Sequence, residues 1–213
     1  MFKKFRDSVS GLTHLFGAIM SIVGLIVLIN FSIFQNSPLH VTVFSIFGAS
    51  LILLYSASSI YHLVTTSEKS IKILRRIDHS MIYILIAGSY TPICLLALKG
   101  TFGLVMLTII WVLAIIGILV KNFWFFAPRW ISTSFYLIMG GWLIIVAIFP
   151  LSKTLSTGGL FWLITGGIAY SIGAIIYGTK RPKIFSKYFT FHDIFHIFVL
   201  LAVYVILYLC LII

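Results

Sequence analysis

Seven stretches of about 20 apolar residues, separated by short polar segments, follow one another along this chain of 213 residues. A bilayer's hydrocarbon core is about 30 Å thick, and a helix rising about 1.5 Å per residue crosses it in about 20 residues. Inside that core every backbone N–H and C=O needs an internal partner, so runs of this length are read as transmembrane helices. Of the residues, 61% are hydrophobic and 9% charged, against roughly 25% charged in soluble domains. A water-soluble fold is excluded. The expected fold is all-α: an integral membrane bundle of seven transmembrane helices, residues 1–213 forming a single domain without short-period repeats.

The runs predict helices over Thr13–Phe34, Val41–Val64, Ile77–Leu98, Phe102–Val120, Ile131–Phe149, Gly159–Gly178 and from Thr190 to the C-terminus. Asn36, Ser37 and Pro38 make a turn, Thr65–Arg76 a polar connection, Lys99-Gly100 a tight turn and Lys121–Trp130 a short loop. Pro92 should kink the third helix, since proline carries no backbone N–H. Lys3, Lys4 and Arg6 precede the first run as in a secretory signal. The run continues for about 20 residues without a small-residue cleavage site, so it reads as an uncleaved helix behind a short cytoplasmic segment, residues 1–12.

A net charge of +11 would suggest nucleic acid in a soluble protein. Here the basic residues cluster between apolar runs, and topology explains them without a nucleic-acid partner. Lysine and arginine resist translocation and collect in cytoplasmic loops. With seven spans, one side holds Lys3, Lys4, Arg6, Lys69, Lys72, Arg75, Arg76, Lys121, Arg129, Lys180, Arg181, Lys183 and Lys187, and the other only Lys99 and Lys153. One helix more or fewer would scramble that segregation. It places the N-terminus in the cytoplasm and the C-terminus outside, in a multi-pass protein of the cell membrane whose basic loops meet anionic inner-leaflet lipids. Cys94 and Cys210 lie inside apolar runs without metal-like spacing and read as packing thiols. Gly17 with Ser21, Gly167 with Ser171, and Ala174 with Gly178 put small residues four apart, a pattern that lets helix backbones approach closely.

Ionisable groups at membrane depth are costly, so each needs a partner or a role. They are not scattered. His14 opens the first helix, His62 closes the second, Asp78 and His79 open the third, and His192, Asp193 and His196 open the seventh, all near the cytoplasmic boundary. His192 and His196, four apart, share one helical face one turn from each other and can chelate a metal. Ser58 and His62 repeat the interval on the second helix. Three imidazoles, from His62, His192 and His196, with a fourth position open would make a catalytic-type zinc site. Asp78 at the same depth could take a proton from water there or orient it with Ser58. Interfacial histidines also commonly bind headgroups or backbone carbonyls, and that reading stands beside the metal one. His14 and His79 are expected in a supporting or interfacial role, and His40 as a solvated loop residue. Asp193 would either hydrogen-bond a ligand or meet the positive N-terminus of its own helix.

Thr13-His14, Ser58 to His62 as SxxxH, RRIDHSMIYILIAGSYTP from Arg75 to Pro92, YGTKRP from Tyr177 to Pro182, and HDIFH from His192 to His196 together resemble the bacterial hemolysin III proteins. These are part of the superfamily that includes progestin and adiponectin receptors. The resemblance spans nearly the whole chain. It implies a seven-helix fold with the N-terminus inside, a zinc ion held by His62, His192 and His196, and Asp78 with Ser58 attending the water at that metal. Many relatives carry a glutamate and an asparagine upstream of the Thr-His pair, where this chain has Asp7 and Ser10, so no role is carried over to that segment. The soluble N-terminal extension of the adiponectin receptors has no counterpart here, and hormone binding is not carried over either.

Two function classes follow. One is an intramembrane zinc hydrolase acting on a lipid amide or ester, by analogy with the ceramide hydrolysis attributed to the receptor branch. The other is membrane permeabilisation, or cytolysis, which the family name implies; a zinc-stabilised sensor without catalysis is a third possibility. A pore wants a polar column across the bilayer, whereas the ionisable residues of this chain form a layer on one side.

Overall fold

The computed structural model describes residues 6–124, 128–182 and 189–213, apart from the side chains of 129 and 142–144. Seven helices run in order: α1 Ser8–Phe34, α2 Pro38–Leu63, α3 Glu68–Leu98, α4 Gly100–Phe123, α5 Trp130–Thr154, α6 Thr157–Thr179 and α7 Phe191–Ile212. Each is long and apolar enough to cross a bilayer, and no strand occurs among the described residues. The protein is a multi-pass membrane protein. Lys3, Lys4, Lys183 and Lys187, used above for orientation, lie outside the described residues.

Three helices start three or more residues earlier than hydropathy places them, and at two of them, α2 and α3, a serine cap sets the start. α1 begins at Ser8, so the later part of the 1–12 segment is helical. α2 begins at Pro38 behind Ser37, with proline at the position where its missing N–H costs nothing. His40 is therefore a helical residue and not a loop residue; its Nδ1 lies 2.6 Å from Ser37 Oγ. α3 begins at Glu68, so most of Thr65–Arg76 is helix. Ser67 Oγ accepts from the Ser70 amide at 3.3 Å, and Glu68 puts an anion in the first turn.

Pro92 breaks the α-helical register of α3 as expected, and Ile93–Leu98 continue as a π-helical turn. The chain then reverses through Lys99 and Gly100, both at positive φ (52° and 60°). α5 carries a second π-helical stretch, Ile138–Trp142, spanning Gly140 and Gly141. The Tyr90 hydroxyl on α3 donates to the Gly140 carbonyl at 2.8 Å, so a side chain from the neighbouring helix serves the irregular stretch.

α3 is the central helix, with 72% of its span window buried. α1 shows how lipid reverses the usual amphipathic logic. Ile19, Ile22, Ile26 and Ile33 face outward, while Ser10, His14, Gly17, Ser21, Gly24 and Ser32 are buried. Lipid is as apolar as leucine, so helices associate through close approach and internal hydrogen bonds. A Cβ on Gly17 would meet Leu200 of α7 at 2.8 Å and Tyr55 of α2 at 3.0 Å, which fixes the approach of three helices at one glycine. On α6 Gly178 packs tightly against Thr133 of α5. Gly167, Ser171 and Ala174 line a cavity. Cys94 and Cys210 are buried free thiols.

Candidate metal centre and its two cavities

α2 and α7 deliver their imidazoles to one point. Nε2 of His62 and Nε2 of His192 stand 3.4 Å apart. One ligand atom from each of His62, His192 and His196 lies within 4.8 Å of the other two. Two nitrogens about 2.0–2.1 Å from a tetrahedral metal are about 3.3 Å apart, so the first pair already has that spacing. His62 and His196 are buried, and His196 Nδ1 has no hydrogen-bond partner. Three imidazoles brought together, two of them buried and His192 half-buried, with one nitrogen of His196 unsatisfied, fit a divalent metal ion.

The ligand geometry is held from the segment that the motifs left without a role. Asp7 Oδ2 lies 3.1 Å from Nδ1 of His62, and the Asp7 amide donates to the His62 carbonyl at 3.0 Å. Asp7 is also the N-cap of α1, yet its carboxylate makes no capping hydrogen bond there and is spent on His62. With the Nδ1 proton held by a carboxylate, Nε2 presents its lone pair to the trio. That hydrogen bond from His62 keeps the Asp7 carboxyl below its ordinary value, against the opposing effect of partial burial.

Ser10, one turn on, donates to Asp193 Oδ1 at 2.6 Å. The other oxygen of Asp193 accepts from the Thr190 amide at 2.7 Å and the Thr190 hydroxyl at 3.0 Å, closing a capping box at the start of α7. Asp193 thus serves the N-terminus of its own helix and fixes the turn that carries His192 and His196. Asp7 and Ser10 were missed in the sequence. The available signal was scarcity: the chain has four acidic residues, and Asp7, Asp78 and Asp193 all converge here.

Of the supporting and interfacial places expected for His14, the structure gives it the supporting one. It is 3% exposed and stacks on His196, with ring centroids 3.7 Å apart and planes at 14°. Neither of its nitrogens has a partner. His79 points to α6: Nδ1 donates to the Arg75 carbonyl at 2.7 Å, leaving Nε2, 3.2 Å away, to accept from the Tyr177 hydroxyl. Asp78 and Ser58 are both buried beside the trio. Asp78 Oδ2 lies 3.6 Å from Nδ1 of His79, while Ser58 Oγ falls short of a hydrogen bond to any group.

The trio stands between two spaces. An inner cavity of about 70 Å³ runs into the bundle past Ser58, Asp78 and His196 to Ile86, Ile93 and Gly140. A wider vestibule of about 460 Å³ opens at the other side of His192, walled by Arg6, Asp7, Tyr61, Arg75 and Thr190. His79, Tyr177 and His192 border both.

The profile of the family described as haemolysin-III related matches residues 2–207. The hemolysin-3 homolog of Bacillus subtilis (strain 168) is 44% identical over 202 residues, covering 94% of this chain and 90% of that protein. The hemolysin-3 of Bacillus cereus is 43% identical over 197 residues, covering 92% and 85%. The human monocyte to macrophage differentiation factor is 27% identical over 161 residues, 74% of this chain and 64% of that protein. Seven apolar helices, two of which bring three histidines together, thus carry a family match along almost their entire length, and the chain belongs to the haemolysin-III-related family.

Proposed function

We propose that this protein, one seven-helix unit with its N-terminus in the cytoplasm, is a zinc-dependent hydrolase of lipid amides or esters. The observation that carries the reading is the trio of His62, His192 and His196 at the meeting point of an apolar cavity and a polar vestibule. Three imidazoles match catalytic zinc sites, which keep one position open. Bound there, zinc would supply a Lewis acid for a carbonyl and an activated water near neutral pH.

The chain's own residues do the rest. The inner cavity, about 70 Å³ and apolar beyond the trio, takes only the first carbons of the acyl chain next to the scissile carbonyl, and the vestibule leaves the polar end of the substrate facing the membrane surface. Asp78, buried beside the trio, holds and passes on a proton; Ser58, with an unengaged hydroxyl, positions the attacking water. Asp7 fixes the His62 tautomer and Asp193 fixes the first turn of α7.

Elemental analysis of detergent-purified protein should find about one zinc per chain, lost when His62, His192 and His196 are all replaced by alanine. Asp78→Asn should retain zinc and lose lipid hydrolysis. No zinc after metal-replete growth, or turnover unchanged by Asp78→Asn, would defeat the reading. The names of the Bacillus relatives point to permeabilisation instead. Against a water-filled column stands the tightly packed apolar core away from the trio, where Leu28, Phe44, Phe47 and Leu209 are fully buried. Dye release from liposomes that survives the triple alanine substitution would favour that second reading.

A further inference from the structure

The vestibule has a chemical character of its own. Two carboxylates reach it, and both are committed: Asp7 to His62, and Asp193 to Thr190 and Ser10. The other charged groups in its wall are the guanidinium groups of Arg6 and Arg75. Arg6 is held in place by α2, with its guanidinium carbon 4.0 Å over the Tyr61 ring and Nη2 donating to the Tyr61 carbonyl. Stacking fixes the plane of the fork and leaves further N–H donors along its edge, the arrangement that suits planar, bidentate recognition of an anion's oxygens. The space, about 460 Å³, is too large for a bare ion and of the size of a polar headgroup.

From this geometry we infer that the vestibule binds the phosphate group of a lipid headgroup, with Arg6 and Arg75 as its recognition residues. The inference deepens the hydrolase reading and rests on it for the placement of the acyl chain. A lipid whose scissile carbonyl lies at the trio directs the start of its apolar chain into the inner cavity and has its head between the two arginines. The substrate class is accordingly a phosphate-bearing lipid amide or ester, in preference to a neutral one such as an unphosphorylated ceramide or acylglycerol.

The test is a pair of ligands that differ only in the phosphate, monooleoyl phosphatidate and monooleoylglycerol, titrated against the zinc-loaded full chain in detergent with binding read from the shift in melting temperature. The phosphate lipid should bind about tenfold tighter, the difference expected of charge-assisted hydrogen bonds. Replacing both residues, Arg6→Gln with Arg75→Gln, should bring the two affinities together. Because Arg6 also holds the end of α2, Arg75→Glu alone serves as a second variant and should reverse the preference. Equal affinities in the unaltered protein would overturn the inference, as would a preference untouched in both variants. Inorganic phosphate that competes as well as the lipid would overturn the lipid assignment in favour of free phosphate. Binding needs no turnover, so the outcomes separate. A preference without hydrolysis upholds the vestibule and sinks the enzyme, and hydrolysis without a preference does the reverse.

Discussion

The carboxylate of Asp7 lies 3.1 Å from Nδ1 of His62, joining residues 55 positions apart in the chain. A carboxylate behind an imidazole ligand sets its tautomer and raises its basicity, and loss of such a partner typically weakens metal binding about 10–100-fold. Asp7→Asn should therefore lower zinc affinity by about that factor, measured by competition with a chromogenic chelator. Affinity equal to the unaltered protein would show that the contact serves only to fasten α1 to α2.

Ser10→Ala removes one hydrogen bond from a buried carboxylate and leaves Asp193 Oδ1 without its partner. An unsatisfied buried acceptor costs about 1–3 kcal/mol. Asp193→Ala also dismantles the capping box, which adds about 0.5–2 kcal/mol at a helix N-terminus. Thermal unfolding in detergent should rank the proteins as unaltered, then Ser10→Ala, then Asp193→Ala; the reverse order of the two variants would contradict this account.

Gly17→Val places side-chain carbon where Leu200 and Tyr55 already stand. Overpacking of this kind costs about 1–3 kcal/mol. The displacement acts on the ring stack between His14 and His196 just above it, so lower melting temperature and weaker zinc retention should appear together. The same substitution at Ile19, which is 55% exposed and faces outward, should leave both unchanged and serves as the control.

Removal of zinc by a chelator should lower the melting temperature of the unaltered protein, since a ligand at about 100 times its dissociation constant adds about 2.7 kcal/mol of stability. The triple alanine variant should melt at the same temperature with or without chelator. A drop in the variant as well would place the stabilising metal elsewhere.

What could be read from the chain was whatever depends on local spacing. Bilayer thickness makes apolar runs legible as spans, and the four-residue interval on α7, repeated by Ser58 and His62 on α2, made the trio legible as a set. Helix starts were not, because Ser37 and Ser67 act through caps that hydropathy does not register. Asp7 and Ser10 escaped for another reason. Their partners are 55 and 183 residues away, and only the register of α1 against α2 and α7 brings them together. His14 shows the same limit, since its position near a boundary left a supporting and an interfacial role open and only the stack on His196 decides between them. The Gly167, Ser171 and Ala174 row read as packing, yet small residues that admit a neighbouring helix equally leave room for a cavity.

The pairing of α1 with α7 has a consequence for how the molecule is made. Ser10 and His14 lie on α1, and the residues they meet, Asp193 and His196, lie on α7, made after the six helices before it. Until α7 is in place, the polar stripe of α1 has no final partner and the histidine cluster lacks two of its three imidazoles. A chain cut just before α7 keeps six of the seven helices and one of the three imidazoles, so the assembled cluster reports that α7 has docked.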